Sequence, residues 1–343
     1  MCVCNPLHVY SKKPDLLVKS ASFGWLNGNS AGKVSGMMQQ KTISTRAWAE
    51  LLLLGLIWGA SFLSIRIALD DIGPLTSVAH RTFWAMLALW GLVLAMRLPV
   101  PRTLRVWRAF LIMGLLNNVI PFGLMAWGQL HIESGLTSIL NAATAIFGVI
   151  AAALFFADER ITMRKGFGVT LGFAGVALAI GPDALRSFDL RSVAQLAVIA
   201  GTISYALASV WARHFLSGLP PLVAAAGMLT GSSFISVPLA TIVEGPISLG
   251  LAPDTALAIA YYALVATAGA YVLYYRILGM AGSGNLMLVT LIVPPVAILL
   301  GALVRGETLA PNAYFGFALL ALGLLVLDGR IVRAIVDRPR ARS

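Results

Sequence analysis

Charged residues are scarce in this chain. Asp, Glu, Lys and Arg together make up 11% of its 343 residues, whereas hydrophobic residues make up 59%. A soluble domain carries about 25% charged residues. The low charge therefore excludes an ordinary soluble domain. It predicts an all-α integral membrane protein, because lipid-exposed backbone has to satisfy its hydrogen bonds within its own segment.

Cysteine is almost absent as well. Cys2 and Cys4 are the only two, and both lie among the first four residues. A disulfide framework and a cysteine-ligated metal cluster are therefore unavailable to the rest of the chain. The few histidines are scattered along the sequence, so we expect neither a metal site nor a cofactor.

The sequence also lacks the motifs of common enzymes. It contains no H-E-x-x-H and no P-loop, and no G-x-S-x-G elbow within the predicted spans. No two carboxylates are placed for a proteolytic dyad within the membrane, so an enzyme is not expected. An ATP-driven pump would need its ATPase from a partner. Acidic side chains avoid the middle of every predicted span, which argues against a buried proton relay.

Long hydrophobic runs fill most of the sequence. A spanning helix needs about 20 mostly apolar residues. About ten segments meet this requirement, and the connections between them are short. The predicted spans are Trp48–Leu69, Ser77–Met96, Trp107–Leu130, Gly135–Phe156, Thr162–Ile180, Val193–Phe215, Leu222–Val243, Thr255–Leu278, Asn285–Val304 and Leu309–Leu327.

The formal net charge of +11 comes mainly from residues outside the spans. In a soluble protein such an excess would suggest nucleic acid, but basic loops of a membrane protein set its orientation instead. If the N-terminus is cytoplasmic, 20 of the 25 Lys and Arg residues lie on that side. The sequence therefore predicts a multi-pass protein of the cell (inner) membrane, with both termini in the cytoplasm and no nucleic-acid partner.

The two halves of the chain repeat each other. Displacement by 147 residues aligns Trp58 with Tyr205, and displacement by 148 residues aligns Glu159 with Glu307. Several matches at nearly one offset predict an internal duplication. Each half has five spans, an odd number, so the second half enters the membrane from the opposite side. Such inverted repeats are common in secondary transporters.

The duplication sets the expected domain organisation. Residues 1–46 form a polar, disordered tail, residues 47–181 the first five-helix repeat, residues 192–329 the second, and residues 330–343 a basic tail. Met37 lies just before the first span, so we expect a chain that begins there to insert and to function.

Short motifs recur in a recognisable order. They include IWGASF at 57–62, Gly-Pro-Leu at 73–75, Arg-Thr-Phe at 81–83, ADERIT at 157–162 and RGETLA at 305–310. Together they resemble the EamA type of the drug/metabolite transporter superfamily over about residues 48–329. The resemblance implies a ten-helix carrier that moves small metabolites, often exporting amino acids, through a cavity between the halves. Tyr205 stands where the family frequently has Trp, so a symmetric aromatic pair is only partly kept.

Polar and aromatic residues within the spans are candidates for the substrate path. Each also has a structural interpretation: the asparagines join helices, the aromatic rings pack in the core or at the interface, and Asn285 precedes a kink at Pro294-Pro295. The predicted substrate-binding residues are Trp58, Ser61, Asn117, Asn118, Asn141, Tyr205, Tyr271 and Asn285.

Three charged residues are candidates for gates. Arg81 begins the second span, where it either extends toward the membrane surface or forms an outer gate that attracts a carboxylate. Glu159 and Glu307 lie in turns at opposite faces. We expect each to cap or gate the helix that follows it, since a carboxylate favours a helix N-terminus.

The expected function is a secondary carrier, an exporter or exchanger of small organic metabolites, that works by alternating access and is driven by the substrate gradient. Its expected partners are a small-molecule substrate and the lipid bilayer, and the sequence is compatible with a homodimer. The alternatives are a membrane scaffold or lipid-modifying component that does not transport, a passive channel, and proton coupling through Glu159 or Glu133.

Overall fold

The computed structural model describes residues 44–156, 161–181, 190–281, 286 and 288–328. Every regular element within these ranges is a helix, which confirms the all-helical prediction. Eight helices are long and apolar enough to cross a membrane, and two shorter apolar helices follow them. The chain is a multi-pass membrane protein.

We number the helices in chain order and treat a helix with an internal irregularity as one. They are α1 (Thr45–Ala68), α2 (Pro74–Ala95), α3 (Leu104–Gly128), α4 (Ser134–Phe155), α5 (Met163–Ile180), α6 (Leu190–Phe215), α7 (Pro221–Val243), α8 (Pro253–Ala281), α9 (Val289–Arg305) and α10 (Pro311–Asp328).

Proline and hydroxyl residues fix where many helices begin. α2, α7 and α8 have Pro in their first turn, where its fixed φ suits the helix and its missing N–H is not needed. Ser44 caps α1 by accepting a hydrogen bond from the Ala47 amide at 3.2 Å. Helix starts are therefore encoded locally.

Two helices contain π-helical segments. They cover Leu115–Val119 in α3 and Tyr261–Gly269 in α8. When the chain is displaced by 147 residues, the first segment falls inside the second. Such segments change the hydrogen-bonding partner of a carbonyl and are frequent at functional sites. The two irregular regions are therefore the first places to search for a site.

The described helices belong to one unit, Lys41–Ser343, and they pack in a paired pattern. α5 packs along α10, and α2 packs along α7. The other contacts come in corresponding pairs. The contact of α1 with α9 corresponds to that of α6 with α4, and the contact of α3 with α7 corresponds to that of α8 with α2. Small residues permit the closest approach. A Cβ added at Gly168 would lie 2.9 Å from the Gly323 carbonyl oxygen, and one at Gly175 would lie 2.8 Å from that of Gly316.

Candidate functional site

Side chains from both halves of the chain meet between the helices. The Asn117 amide in α3 donates to the Tyr271 hydroxyl in α8 at 3.3 Å. The Trp58 indole in α1 donates to the Ala266 carbonyl, inside the π-helical segment of α8, at 3.1 Å. The structure thus brings three of the predicted substrate-binding residues to the same helix, α8.

Arg81 belongs to the same region. Its Nε donates to the Thr267 hydroxyl at 2.9 Å, and its guanidinium carbon lies 3.9 Å from the centre of the Phe122 ring. The Tyr205, Tyr271 and Tyr262 side chains lie near the guanidinium. These contacts hold the side chain between helices, so the interpretation that it extends toward the membrane surface is wrong.

We call Trp58, Arg81, Asn117, Phe122, Tyr205, Thr267 and Tyr271 the central cluster. Its members come from α1, α2, α3, α6 and α8. The Tyr205 ring lies 6.4 Å from the Phe122 ring, centre to centre. All members except Thr267 keep part of their surface exposed, although they lie among packed helices. The cluster therefore lies between the two halves, and six of its seven members are not fully buried.

The π-helical segment of α8 orients Thr267. Its hydroxyl donates to the Tyr262 carbonyl, five residues earlier, at 2.7 Å. The donor of this hydroxyl is then occupied, and its oxygen is left to accept the hydrogen bond from Arg81. The irregular helix therefore places an acceptor against the Nε side of the guanidinium.

Among the described residues, no acid balances the positive charge of Arg81. Neither terminal nitrogen of its guanidinium has a hydrogen-bond partner, and no carboxylate pairs with it, among the residues that the structure describes. An uncompensated charge taken out of water costs several kcal/mol, and one hydrogen bond plus one cation–π contact recover only part of this. Arg81 is therefore the main electrostatic feature of the central cluster.

Two predicted substrate-binding residues serve packing. Asn118 is fully buried and donates to the Ser232 hydroxyl in α7 at 2.7 Å, as its structural interpretation requires. Ser61 is 4% exposed and donates to the carbonyl of Trp58 in its own helix at 2.7 Å, a common outcome for serine inside a helix. Both residues support a neighbour in the central cluster.

Asn141 lies where α4 is interrupted. The Thr144 hydroxyl donates to its carbonyl at 2.7 Å and closes the irregular turn. Its side-chain Oδ1 is buried and has no hydrogen-bond partner within the described ranges, and such a buried oxygen is costly unless a ligand or water binds it. Its role in substrate binding stays a prediction. Asn285 and Glu159 lie outside the described residues.

Glu307 joins two helices at the end that contains the α1–α2 connection. Its carboxylate accepts hydrogen bonds from the amide and the hydroxyl of Ser134, both at 2.9 Å. Ser134 is the first residue of α4, so the expectation that Glu307 caps the helix after it is wrong. The turn after α9 brings the carboxylate to α4 instead, and Gly301 leaves room for it.

An ion-pair network lies at the same end. Arg305 binds Asp70 through both terminal nitrogens, at 2.5 and 3.1 Å, and Arg66 reaches the same carboxylate at 3.0 Å. The hydrogen bond from Arg305 holds the pKa of Asp70 below its ordinary value. This network ties the end of α9 to the end of α1.

Two more carboxylates link helix ends there. Glu244, after α7, accepts hydrogen bonds from the amides of Leu75 and Thr76 at the start of α2, at 2.9 and 2.8 Å. Glu133, before α4, binds Arg191 of α6 at 3.1 and 2.8 Å. This end of the protein is therefore held by charged contacts between the halves.

Three residues of this region could not be predicted from the sequence: Phe122, Thr267 and Glu244. Phe122 and Thr267 lie in apolar helices where nothing in the residue pattern separates them from packing residues. Glu244 acts on α2, more than 160 residues away in sequence. The proline before Phe122 was the one local signal of an irregular helix.

The sequence profile of the EamA-like transporter family matches this chain twice, at residues 47–181 and 192–327. The chain belongs to this family. The match confirms the resemblance found in the sequence, and the protein is a transporter of the EamA type.

Several similar EamA-type proteins cover most of the chain. "Probable terminal-alkyne amino-acid exporter" of Streptantibioticus cattleyicolor is 28% identical, over 84% of this chain and 95% of its own. "Probable amino-acid metabolite efflux pump" of Escherichia coli is 24% identical, over 80% and 92%. "Uncharacterized transporter YoaV" of Bacillus subtilis is 21% identical, over 79% and 92%.

The fold is also found in a solved crystal structure. It superposes with a TM-score of 0.61 at 19% identity and covers 85% of this chain and 99% of its own. At this identity the likeness concerns the arrangement of helices alone.

Proposed function

We propose that this EamA-type transporter is a secondary carrier that exports or exchanges small organic metabolites, such as amino acids or related compounds, by alternating access. The observation that carries the proposal is the central cluster, whose residues come from both halves of the chain. A site shared by two halves changes its exposure when the halves move relative to each other. The names of two relatives favour amino-acid substrates.

In this proposal all ten helices cross the membrane as two inverted repeats, residues 47–181 and 192–329. The paired helix packing and the overlapping π-helical segments support it. Even the shortest helix, α9, has 17 residues and is about 26 Å long, close to the thickness of the hydrocarbon core. The tails, residues 1–46 and 330–343, lie in the cytoplasm, as the basic bias favours.

With this orientation the end held by Glu307, Arg305 and Glu133 faces outward. We infer that these contacts form the outer gate, which is closed in this structure. The substrate then reaches the central cluster from the cytoplasm. Glu159, which aligns with Glu307, is the corresponding candidate for the inner gate.

Counterflow in proteoliposomes tests the proposal. Vesicles are loaded with each of the common amino acids in turn, and entry of the labelled compound is measured. A carrier is stimulated by substrate on the far side, whereas a passive channel is not and a scaffold shows no flux. Stimulated entry of at least one compound supports the carrier. Unstimulated flux, or no flux for the whole panel, contradicts it.

Cysteine labelling tests alternating access. Asn117→Cys is made in a chain with Cys2 and Cys4 replaced by serine, and a membrane-impermeant maleimide is applied from each side. We expect labelling from the cytoplasmic side that the transported amino acid reduces. Leu104→Cys, an exposed residue at the start of α3, serves as control and should be labelled equally with or without substrate. If substrate does not change the labelling of Asn117→Cys, Asn117 does not lie in the substrate-binding site.

A further inference from the structure

We infer that Arg81 binds the carboxylate of the transported compound and that this contact, rather than an amine contact, decides which compounds are carried. The inference rests on the proposed transport function and names the substrate class for the central cluster. Substrates are organic carboxylates, with or without an amino group.

The geometry of Arg81 leaves the correct donors for a carboxylate. Thr267 occupies Nε at 2.9 Å, and the Phe122 ring lies against one face of the guanidinium at 3.9 Å. The two terminal nitrogens remain without hydrogen-bond partners in the described part of the chain. Two parallel N–H groups in a fixed plane match the two oxygens of a carboxylate. The protein thus fixes the plane of the guanidinium and leaves its two terminal nitrogens available to a ligand.

The other arginines show what Arg81 lacks. Arg66, Arg191, Arg276 and Arg305 each pair with an Asp or Glu near a helix end. Arg81 lies in the second turn of α2 and bonds to the middle of α8, where it has no acidic partner among the described residues. A fixed cation that is not fully buried and has no counter-ion attracts an anion. The ligand supplies the missing negative charge.

The central cluster has no equivalent group for an amine. Its remaining polar members are an amide, a threonine hydroxyl, an indole and two tyrosine hydroxyls, and the Asn117 amide already donates to Tyr271. An ammonium group would find only neutral acceptors and ring faces there. Removal of the amine should therefore be tolerated, whereas removal of the carboxylate should not.

A matched series of compounds tests this asymmetry. Phenylalanine has both groups, 3-phenylpropanoate only the carboxylate, 2-phenylethylamine only the amine, and phenylalaninamide an uncharged amide instead of the carboxylate; leucine, 4-methylpentanoate, 3-methylbutylamine and leucinamide form a second series. Each compound is added to the purified full-length protein in nanodiscs, and the shift of the melting temperature is recorded. We expect the carboxylates to stabilise the protein and the amines and amides not to do so.

Arg81→Gln should weaken the binding of every carboxylate by about tenfold or more, because it removes a charged hydrogen-bonding group. Arg108→Gln removes an exposed arginine of α3 and should bind like the wild type. If Arg81→Gln does not yield a monodisperse protein, Arg81→Lys replaces it. Lysine keeps the positive charge but lacks the two parallel N–H groups of the guanidinium. The Arg81→Lys variant should therefore still bind carboxylates in preference to amides, but more weakly than the wild type.

The outcomes separate this inference from the proposed function. Equal stabilisation by amides and acids, unchanged affinity in Arg81→Gln, or no stabilisation by any carboxylate overturns the role of Arg81. If the wild type nevertheless shows stimulated counterflow, the carrier function stands without it. If the wild type transports nothing, the carrier function itself fails.

Discussion

Arg81 and Arg305 place the same side chain in opposite electrostatic settings. Arg305, at the end of α9, binds Asp70 through both terminal nitrogens, and its side chain is 30% exposed. Arg81, between the helices, touches a hydroxyl and an aromatic ring but no carboxylate within the described residues. The paired arginine holds helix ends together, whereas the unpaired one carries charge that the fold itself does not use. The presence or absence of a carboxylate partner therefore distinguishes a structural arginine from one that can bind a ligand.

The largest difference between the two arginines should appear in transport. Arg81→Gln should lower the apparent affinity for carboxylates by about 10- to 100-fold, since one partner of a desolvated charged contact is lost. Arg305→Gln should change it by less than about fivefold, as an exposed ion pair contributes about 0–1 kcal/mol. Counterflow at a series of substrate concentrations measures both. Equal losses in the two variants would remove the distinction.

The outer gate sharpens the comparison. Glu307→Gln keeps one acceptor oxygen for Ser134 but loses the negative charge at the start of α4, which should destabilise the closed gate by about 1 kcal/mol. We expect labelling of Asn117→Cys from the outer side to rise about fivefold. Ser134→Ala, which removes only the hydroxyl contact, is the matched milder change. A gate variant that is labelled like the parent chain would argue against this role of Glu307.

Asn117 and Asn118 allow the same test on adjacent residues. Asn118→Ala removes the buried contact with Ser232 and should lower the free energy of unfolding by about 1 kcal/mol, with little change in substrate affinity. Asn117→Ala should do the reverse, because its side chain lies in the central cluster. Thermal unfolding measures the stability of each variant, and counterflow measures its substrate affinity. Equal changes of stability and affinity in the two variants would mean that the neighbouring residues share one role.

The smallest effect concerns pH. Arg305 lowers the pKa of Asp70 in the folded protein, so the charged form of Asp70 stabilises the fold. This contribution is complete above the ordinary pKa of aspartate, about 3.9, and is lost as pH falls through the lowered value. The difference in unfolding free energy between the wild type and Asp70→Asn should stay below about 1 kcal/mol. It should be constant from about pH 5 to pH 8 and shrink only below about pH 4; a difference that shrinks near neutral pH would contradict this assignment.

The helices could be predicted from sequence because their signals are local. The lengths of the hydrophobic runs predicted the spans, and prolines such as Pro74 and Pro221 mark helix starts. The direction in which Arg81 points had no such signal. Lipid and protein interior are both apolar, so hydrophobic periodicity does not reveal which face of a membrane helix is inside. The partner of Glu307 was equally hidden, since it depends on a contact 173 residues away.

Transport driven by membrane potential tests the central claim most directly. The vesicles contain no counter-substrate, so only transport without exchange is measured. If Arg81 supplies the only charge that the substrate meets and no proton is carried, 3-phenylpropanoate crosses as an anion and phenylalanine crosses without net charge. A potential of 100 mV is worth about 2.3 kcal/mol per charge, or about 50-fold accumulation. In proteoliposomes with a potassium diffusion potential, corrected for protein-free vesicles, the wild type should accumulate 3-phenylpropanoate on the positive side, and phenylalanine should not respond. At low substrate concentration Arg81→Gln should accumulate 3-phenylpropanoate at an initial rate about tenfold or more below that of the wild type, because its affinity is lower. Accumulation that ignores the potential and follows an imposed pH gradient would contradict the account.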